Sequence, residues 1–362
     1  MGSAALFHLA RRGRRALGLE RFDIPHDRGS SHGITRIIRL AYYEHSSYVP
    51  LLLRAYELWH ELEQLTGIQL LHTTGSIDAG VPGGEIVEGS LRSCRMHDLP
   101  HELLTSRDLT ERFPAYRLPN EIVAVLQPRG GFLLPELCVS YHVIAAQAAG
   151  ADVRARERVL GWEPSPRGVL VTTEHGAYEA ERVIVSAGAW LASLLPGFRD
   201  LAVPERQVLM WTQPRRPDVF RPEHFPVFNL AVEEGRYYGF PVFGIPGFKV
   251  GRYHHQGEIV DPDTMDRTCR ADDEELLRAF VERYFPDGAG PTTAMHTCMF
   301  TNTPDEHFIL DALPSHPQVI VASPCSGHGF KFSSVVGEIL ADLATAGTTS
   351  HDISLHRLAR FA

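Results

Sequence analysis

Apolar residues fall at helical spacing in several separated stretches of the chain. Ala5, Leu6, Leu9 and Ala10 share one face, which predicts a helix from Gly2 to Ala10 that stops at Gly13. Leu52, Tyr56, Trp59, Leu62 and Leu65 form a second stripe over Pro50–Leu65, with Gly67 as its stop. Pro135–Ala149 reads as a third helix, and Val336, Ile339, Leu340 and Leu343 mark a fourth that ends at Gly347. A shorter, polar helix is expected near Ser106–Arg112.

The remaining apolar runs are short and rich in β-branched or aromatic residues. Ala16–Leu19, Gln69–Leu71, Gly75–Ile77, Phe308–Leu310 and Val319–Ala322 read as strands. So do Val153–Ala155, Val169–Thr172 and Arg182–Ser186, as strands of one α/β unit. Tyr237–Pro241 and Gly247–Gly251 are strand-like runs joined by a glycine-rich turn, and His351–Leu355 is at best a final edge strand. Helices alternating with short strands predict an α/β fold. A chain of 362 residues suggests two domains, or two interleaved lobes.

Composition narrows the function. Hydrophobic residues at 44% and charged residues at 22% are ordinary globular values and argue against disorder. A net charge of −9 argues against a nucleic-acid surface, because the one basic cluster, Arg11-Arg12 with Arg14-Arg15, fits a helix C-terminus. No apolar run reaches the length of a membrane span, and the basic-then-apolar order of a signal peptide is missing, so a cytoplasmic protein is expected. The five cysteines, Cys94, Cys138, Cys269, Cys298 and Cys325, include no C-x-x-C pair and suggest neither a disulfide framework nor a zinc site.

Candidate chemistry is densest between Thr297 and Ser334. That stretch opens T-C-M-F-T-N-T-P-D-E-H-F-I-L-D and closes S-P-C-S-G-H-G-F-K-F-S-S. Gly327-His328-Gly329 lets the backbone pass close to a bulky group just before a helix, whose N-terminus favours an electron-rich or anionic ligand. At the other end of the chain, a helix, a strand and Glu20 form the second half of a dinucleotide-binding βαβ unit, whose acid holds a ribose hydroxyl. The first half of that unit is missing from the sequence. Gly29–Arg39, G-S-S-H-G-I-T-R-I-I-R, is a small-residue loop leading to Arg36 and Arg39, and Ala187-Gly188-Ala189-Trp190 follows a strand as a small-residue turn.

T-C-M-F-T, S-G-H-G-F-K-F-S and the loops just quoted resemble the monomeric sarcosine oxidase family, which includes N-methyltryptophan and pipecolate oxidases, over essentially the whole chain. The resemblance implies an FAD-binding Rossmann-like domain (residues 1–72, 130–200 and 304–362) interleaved with an antiparallel-sheet α+β substrate domain (residues 73–129 and 201–303). It makes Gly2 the third glycine of a G-x-G-x-x-G fingerprint whose strand and first two glycines would lie before Met1. A start assigned at an internal methionine is the expected reason, and a true truncation is the other. Cys298 would carry a covalent flavin thioether. Gly2, Glu20, Arg21, Ser30, His32, Ala187, Gly188, Trp190, Gly327, Gly329, Phe330 and Lys331 would lie at the FAD.

The same resemblance gives Arg39 and Lys331 the substrate carboxylate, Lys249 with Arg36 the activation of oxygen, and Tyr238 a place near the substrate. His254 or His255 would be the active-site histidine, since one extra residue follows Lys249. The implied reaction is oxidation of an N-methyl amino acid by O2, sarcosine first, to the amino acid, formaldehyde and hydrogen peroxide, in a monomer. Phe300 in place of a tyrosine, and Pro324-Cys325 in place of Gly-Phe, leave N-methyl-L-tryptophan or pipecolate as alternatives. A dehydrogenase using another acceptor, and a non-catalytic carboxylate-binding or interaction protein, are further readings.

Overall fold

The computed structural model describes residues 1–361. An eight-stranded sheet forms one side of the molecule. Its order is Thr292–Asn302, Val203–Thr212, Phe248–Arg252, Gly235–Phe240, Val227–Val232, Ser76–Gly80, Val123–Gln127 and Glu102–Thr105. Every pairing is antiparallel except that of Val227–Val232 with Ser76–Gly80. The helix Ala271–Tyr284 lays Leu277, Phe280, Val281 and Tyr284 against it, in one apolar core with Phe220, Phe225, Phe228 and Phe248.

The other side is α/β. Leu17–Leu19 runs parallel to Asp152–Arg154, and Val183–Val185 runs parallel to His316–Ser323, which pairs antiparallel with Ile309–Leu313 on its far edge. Among the described residues no ladder joins the first pair to the second. The helices Gly2–Arg11, Tyr48–Thr66, Pro135–Ala148 and Ser333–Ala346 share a single core beside these strands. The first and last of them approach closely, since a Cβ on Gly337 would lie 2.5 Å from the backbone of Ala4.

The four long apolar stripes form helices within two residues of their expected bounds, and Ser106–Arg112 is a helix as expected. Three expectations are corrected. Gln69–Leu71 and Gly75–Ile77 give way to strands at Leu71–Thr73 and Ser76–Gly80. Val169–Thr172 belongs to an antiparallel meander of Val159–Ser165, Gly168–Thr173 and Ala177–Ala180, not to a parallel unit. His351–Leu355 forms no edge strand, and a short 3₁₀ turn at Ser354–His356 takes its place.

Candidate active site

A cavity of about 1700 Å³ extends from the interval between Leu17–Leu19 and Val183–Val185 to the face of the large sheet. The start of the N-terminal helix lines it through Met1, Gly2 and Ser3. A Cβ on Gly2 would stand 2.8 Å from Ser186 Oγ, so this helix start lies against the end of the Val183–Val185 strand. Burial lowers the pKa of the Met1 amino group, with Cys325 as its neighbouring titratable group.

Glu20 lines the cavity at the end of Leu17–Leu19 and accepts the Phe22 N–H at 2.9 Å. Burial opposes its ionisation, but hydrogen bonds from His26 and the Phe22 N–H outweigh this and hold its pKa below the usual value. Arg21 pairs with Asp263 at 2.5 Å, and Trp190 Nε1 donates to the same carboxylate at 2.8 Å. Ala187, Gly188 and Trp190 line the same cavity as Glu20 and Arg21, with the Arg21 guanidinium 5.8 Å from the Trp190 ring.

Farther in, Ser30 Oγ donates to Met299 O at 2.6 Å and Arg36 Nη2 to Ser30 O at 2.7 Å, tying the Gly29–Arg39 loop to the Thr292–Asn302 strand. That strand places Cys298 in the cavity wall, with Arg36 Nη2 at 3.6 Å from its Sγ. Burial raises the thiol's pKa, but the fields of His32 and Arg36 overcome it and bring the pKa down to about 6. A cysteine that is largely thiolate at neutral pH is a nucleophile. His32 is buried and its Nε2 has no hydrogen-bond partner among the described residues. A flavin beside Cys298 fits these residues, since the cavity reaches the thiolate and the His32 nitrogen behind it is left to orient it.

Arg39 and Lys331 lie on the same cavity wall. Arg39 is 1% exposed; its Nη2 reaches both Glu44 oxygens at 2.7 Å, Nη1 donates to Ala41 O at 2.6 Å, and Nε is 3.7 Å from Asp78. Burial disfavours the Glu44 carboxylate, yet the Arg39 charge prevails and depresses its pKa to about 2. Lys331 Nζ donates to His328 O at 2.6 Å, and burial followed by the Arg39 charge lowers its pKa to about 7. Burial lowers that of His328 to about 4, so His328 is neutral, accepting from Tyr42 OH and donating to Glu306 O. Gly327 (φ +76°), Gly329 and Phe330 carry the turn before Lys331, and a Cβ on Gly327 would strike Phe300 at 2.6 Å.

Tyr238 also lines the cavity, and burial raises its pKa. Lys249 does not line it. Its Nζ is buried behind the Gly29–Arg39 loop, donating to Gly33 O, Thr35 O and Thr35 Oγ1 at 2.7, 2.8 and 3.0 Å. Burial and then the Arg36 charge push its pKa well down, against the three acceptors that match an ammonium.

Neither histidine after Lys249 reaches the large cavity. His255 Nε2 bonds Asp273 at 2.7 Å within a buried cluster with Arg206, a structural setting. His254 bridges Glu205 at 2.9 Å and Glu306 at 3.1 Å, and hydrogen bonds to both raise its pKa to about 9. It lines a second, smaller cavity instead. Sequence reasoning missed Glu44, Asp78 and Tyr253; the acid five residues after Arg39 was the one available signal. Among the described residues no group of three or more His, Cys, Asp and Glu could hold a metal ion, and no helix is long and apolar enough to cross a membrane.

A family model described as FAD dependent oxidoreductase matches residues 1–343. Monomeric sarcosine oxidase of Streptomyces avermitilis is 44% identical over 370 residues, covering 100% of this chain and 95% of the relative. Monomeric sarcosine oxidase of Bacillus sp. (strain NS-129) is 42% identical, with 100% and 95% covered. N-methyl-L-tryptophan oxidase of Yersinia pestis is 35% identical, with 100% and 96% covered. Among solved structures, NikD, an unusual amino acid oxidase essential for nikkomycin biosynthesis, matches with a TM-score of 0.83 and 26% identity over 97% of this chain and 93% of its own. L-Proline dehydrogenase from P. horikoshii, at 21% identity over 99% of this chain and 94% of its own, shares the fold with a TM-score of 0.86.

Proposed function

The chain belongs to the FAD-dependent oxidoreductase family, and we propose that it oxidises a secondary α-amino acid, sarcosine first, with FAD linked through Cys298 and O2 as acceptor. The observation that carries this reading is that Cys298, Arg39 and Lys331 all line one cavity. A nucleophilic thiolate for the cofactor and two cations for a carboxylate are the requirements of this reaction. FAD, when bound, supplies a two-electron acceptor.

Arg39 and Lys331 would grip the substrate carboxylate and so fix the position of the N-methyl group. Glu44 and Asp78 hold Arg39 in place, while Tyr238 and Phe300 close the cavity with aromatic surface. Arg36 lines the cavity with Lys249 buried behind it at Gly33 and Thr35, and the fixed positive charge of Arg36, with any proton held on Lys249 by its three acceptors, would lower the barrier for electron transfer to O2. Sarcosine, O2 and water then give glycine, formaldehyde and hydrogen peroxide. The greater identity to sarcosine oxidases than to the N-methyl-L-tryptophan oxidase puts sarcosine first.

The test is oxygen uptake by the purified chain with sarcosine, N-methyl-L-tryptophan and pipecolate in turn. Uptake with equimolar formaldehyde from sarcosine is expected. Uptake with only one of the other two would move the substrate, and flavin reduction without uptake would replace O2 by another acceptor.

A further inference from the structure

The smaller cavity, of about 430 Å³, meets the large one at Tyr253, which lines both. Its inner part carries two arginines from neighbouring strands, Arg236 of Gly235–Phe240 and Arg252 of Phe248–Arg252. Arg236 lies flat on Tyr253, its guanidinium carbon 3.7 Å from the ring centroid, and among the described residues it has no carboxylate partner and no side-chain hydrogen bond. Arg252 gives Nη1 to His255 O at 2.6 Å and leaves Nε buried without a partner. Gly235 makes room for this guanidinium, since a Cβ there would stand 2.8 Å from Arg252 Nε.

The mouth is acidic on balance, with two carboxylates against the His254 imidazolium. Glu85 and Glu306 line it and are exposed, and Glu306 is bound on one side by His254. Cations within and carboxylates at the rim match the polarity of a zwitterionic α-amino acid, carboxylate inward and ammonium outward. A guanidinium stacked on an aromatic ring keeps its edge N–H groups free, and that edge recognises a carboxylate. The acidic rim disfavours a dicarboxylate, the arginines disfavour a metal cation, and the volume lies within the range of small-ligand sites.

We propose that this cavity is an outer subsite for a zwitterionic amino acid, from which the substrate passes Tyr253 to reach Arg39 and Lys331. The proposal rests on the oxidase reading of the large cavity. Tyr253 suits a partition because its hydroxyl is held, among the described residues, by Gly327 O alone at 3.2 Å, and its ring lies between Arg236 and Phe300. Capture at Arg236 would then precede, and be separable from, the chemistry at Cys298.

The experiment compares wild-type holoenzyme with Arg236→Gln and Arg236→Lys under anaerobic rapid mixing with sarcosine. In Arg236→Gln the second-order constant for flavin reduction at low sarcosine should fall ~5–10-fold and lose its salt dependence, with the limiting reduction rate at saturation unchanged. Arg236→Lys, which keeps the charge but not the bidentate edge, should recover part of the loss. Equal effects on both constants, or no effect on either, would overturn the subsite. Calorimetric titration with glycine reads the site without turnover. If sarcosine is not oxidised yet a glycine site disappears in Arg236→Gln, the oxidase reading fails and the subsite stands; a glycine isotherm unchanged by the substitution sinks the subsite alone.

Discussion

Lys331 is poised to be switched by pH. Its pKa of about 7 leaves comparable protonated and neutral fractions near neutrality, and only the protonated form attracts a carboxylate. Acetate, which has no amine to titrate, should therefore bind the holoenzyme ~10-fold more weakly for each pH unit above 7, and Lys331→Met should flatten that profile. Equilibrium titration of the visible spectrum across pH 6–9 checks it. For Cys298, substitution by Ser should give a protein that releases all its flavin into the supernatant on acid precipitation, whereas flavin that stays with the pellet would place the link elsewhere. Cys298, Arg39 and Lys331 were legible because each sits in a contiguous motif. Glu44 was not, because its role depends on a charge pairing made only when the Arg39 strand and the following turn are buried together. Glu44→Gln should loosen that pairing: stability falls by roughly 3 kcal/mol in urea unfolding, while acetate, no longer competing with a full charge for Arg39, binds more tightly.

Elements whose apolar residues lie on one face announced themselves; elements buried all round did not. Val203–Thr212 is buried at every position from Glu205 to Thr212, so it lacks the alternation that marks a strand, and its sequence even contains Glu205, Arg206 and Gln207. Their polar groups are met across the fold, Arg206 by Asp273 and Glu205 by His254 and Asn302, which no local pattern reveals. The helix Glu85–Met96 escaped for a related reason: its buried face includes Gly89, Ser90 and Ser93 beside Ile86, Val87, Leu91 and Cys94. Small residues stand there because the helix presses on the chain at Tyr43, and a Cβ on Gly89 would lie 2.4 Å from Tyr43 O. Since Tyr43 adjoins Glu44, this contact also sets the turn that holds Arg39. Gly89→Ala should cost about 1–3 kcal/mol by overpacking and shift that turn. The urea midpoint and the acetate affinity should fall together, and a midpoint that falls alone would confine the contact to stability. By contrast, Ala271–Tyr284 displays Leu277, Phe280, Val281 and Tyr284 at helical spacing, a legible stripe passed over among glycine-rich neighbours.

At the scale of the molecule, the antiparallel sheet is continuous and the α/β side is not. Parallel sheets occur with both faces covered, and among the described residues Leu17–Leu19 pairs with Asp152–Arg154 alone and Val183–Val185 with His316–Ser323 alone, each leaving one edge free. The large cavity opens between these edges, with Leu6, Leu9, Val139, Val143, Val153 and Ile184 giving an apolar lining. The space between the two edges is apolar and bordered by strand backbone on both sides. A chain lengthened before Met1 by about a dozen residues, an apolar strand followed by Gly-x-Gly, should supply the missing ladder and the phosphate-facing amides together. Its FAD affinity should exceed that of the 362-residue chain by at least ~10-fold, roughly 1.4 kcal/mol. Hydrogen exchange should slow at residues 17–19 and 183–185, because backbone groups on both edges gain partners. Tighter FAD with unchanged exchange would assign the gain to the glycine turn alone. Slower exchange with unchanged FAD affinity would show that the helix start at Met1, Gly2 and Ser3 already provides the contacts that matter.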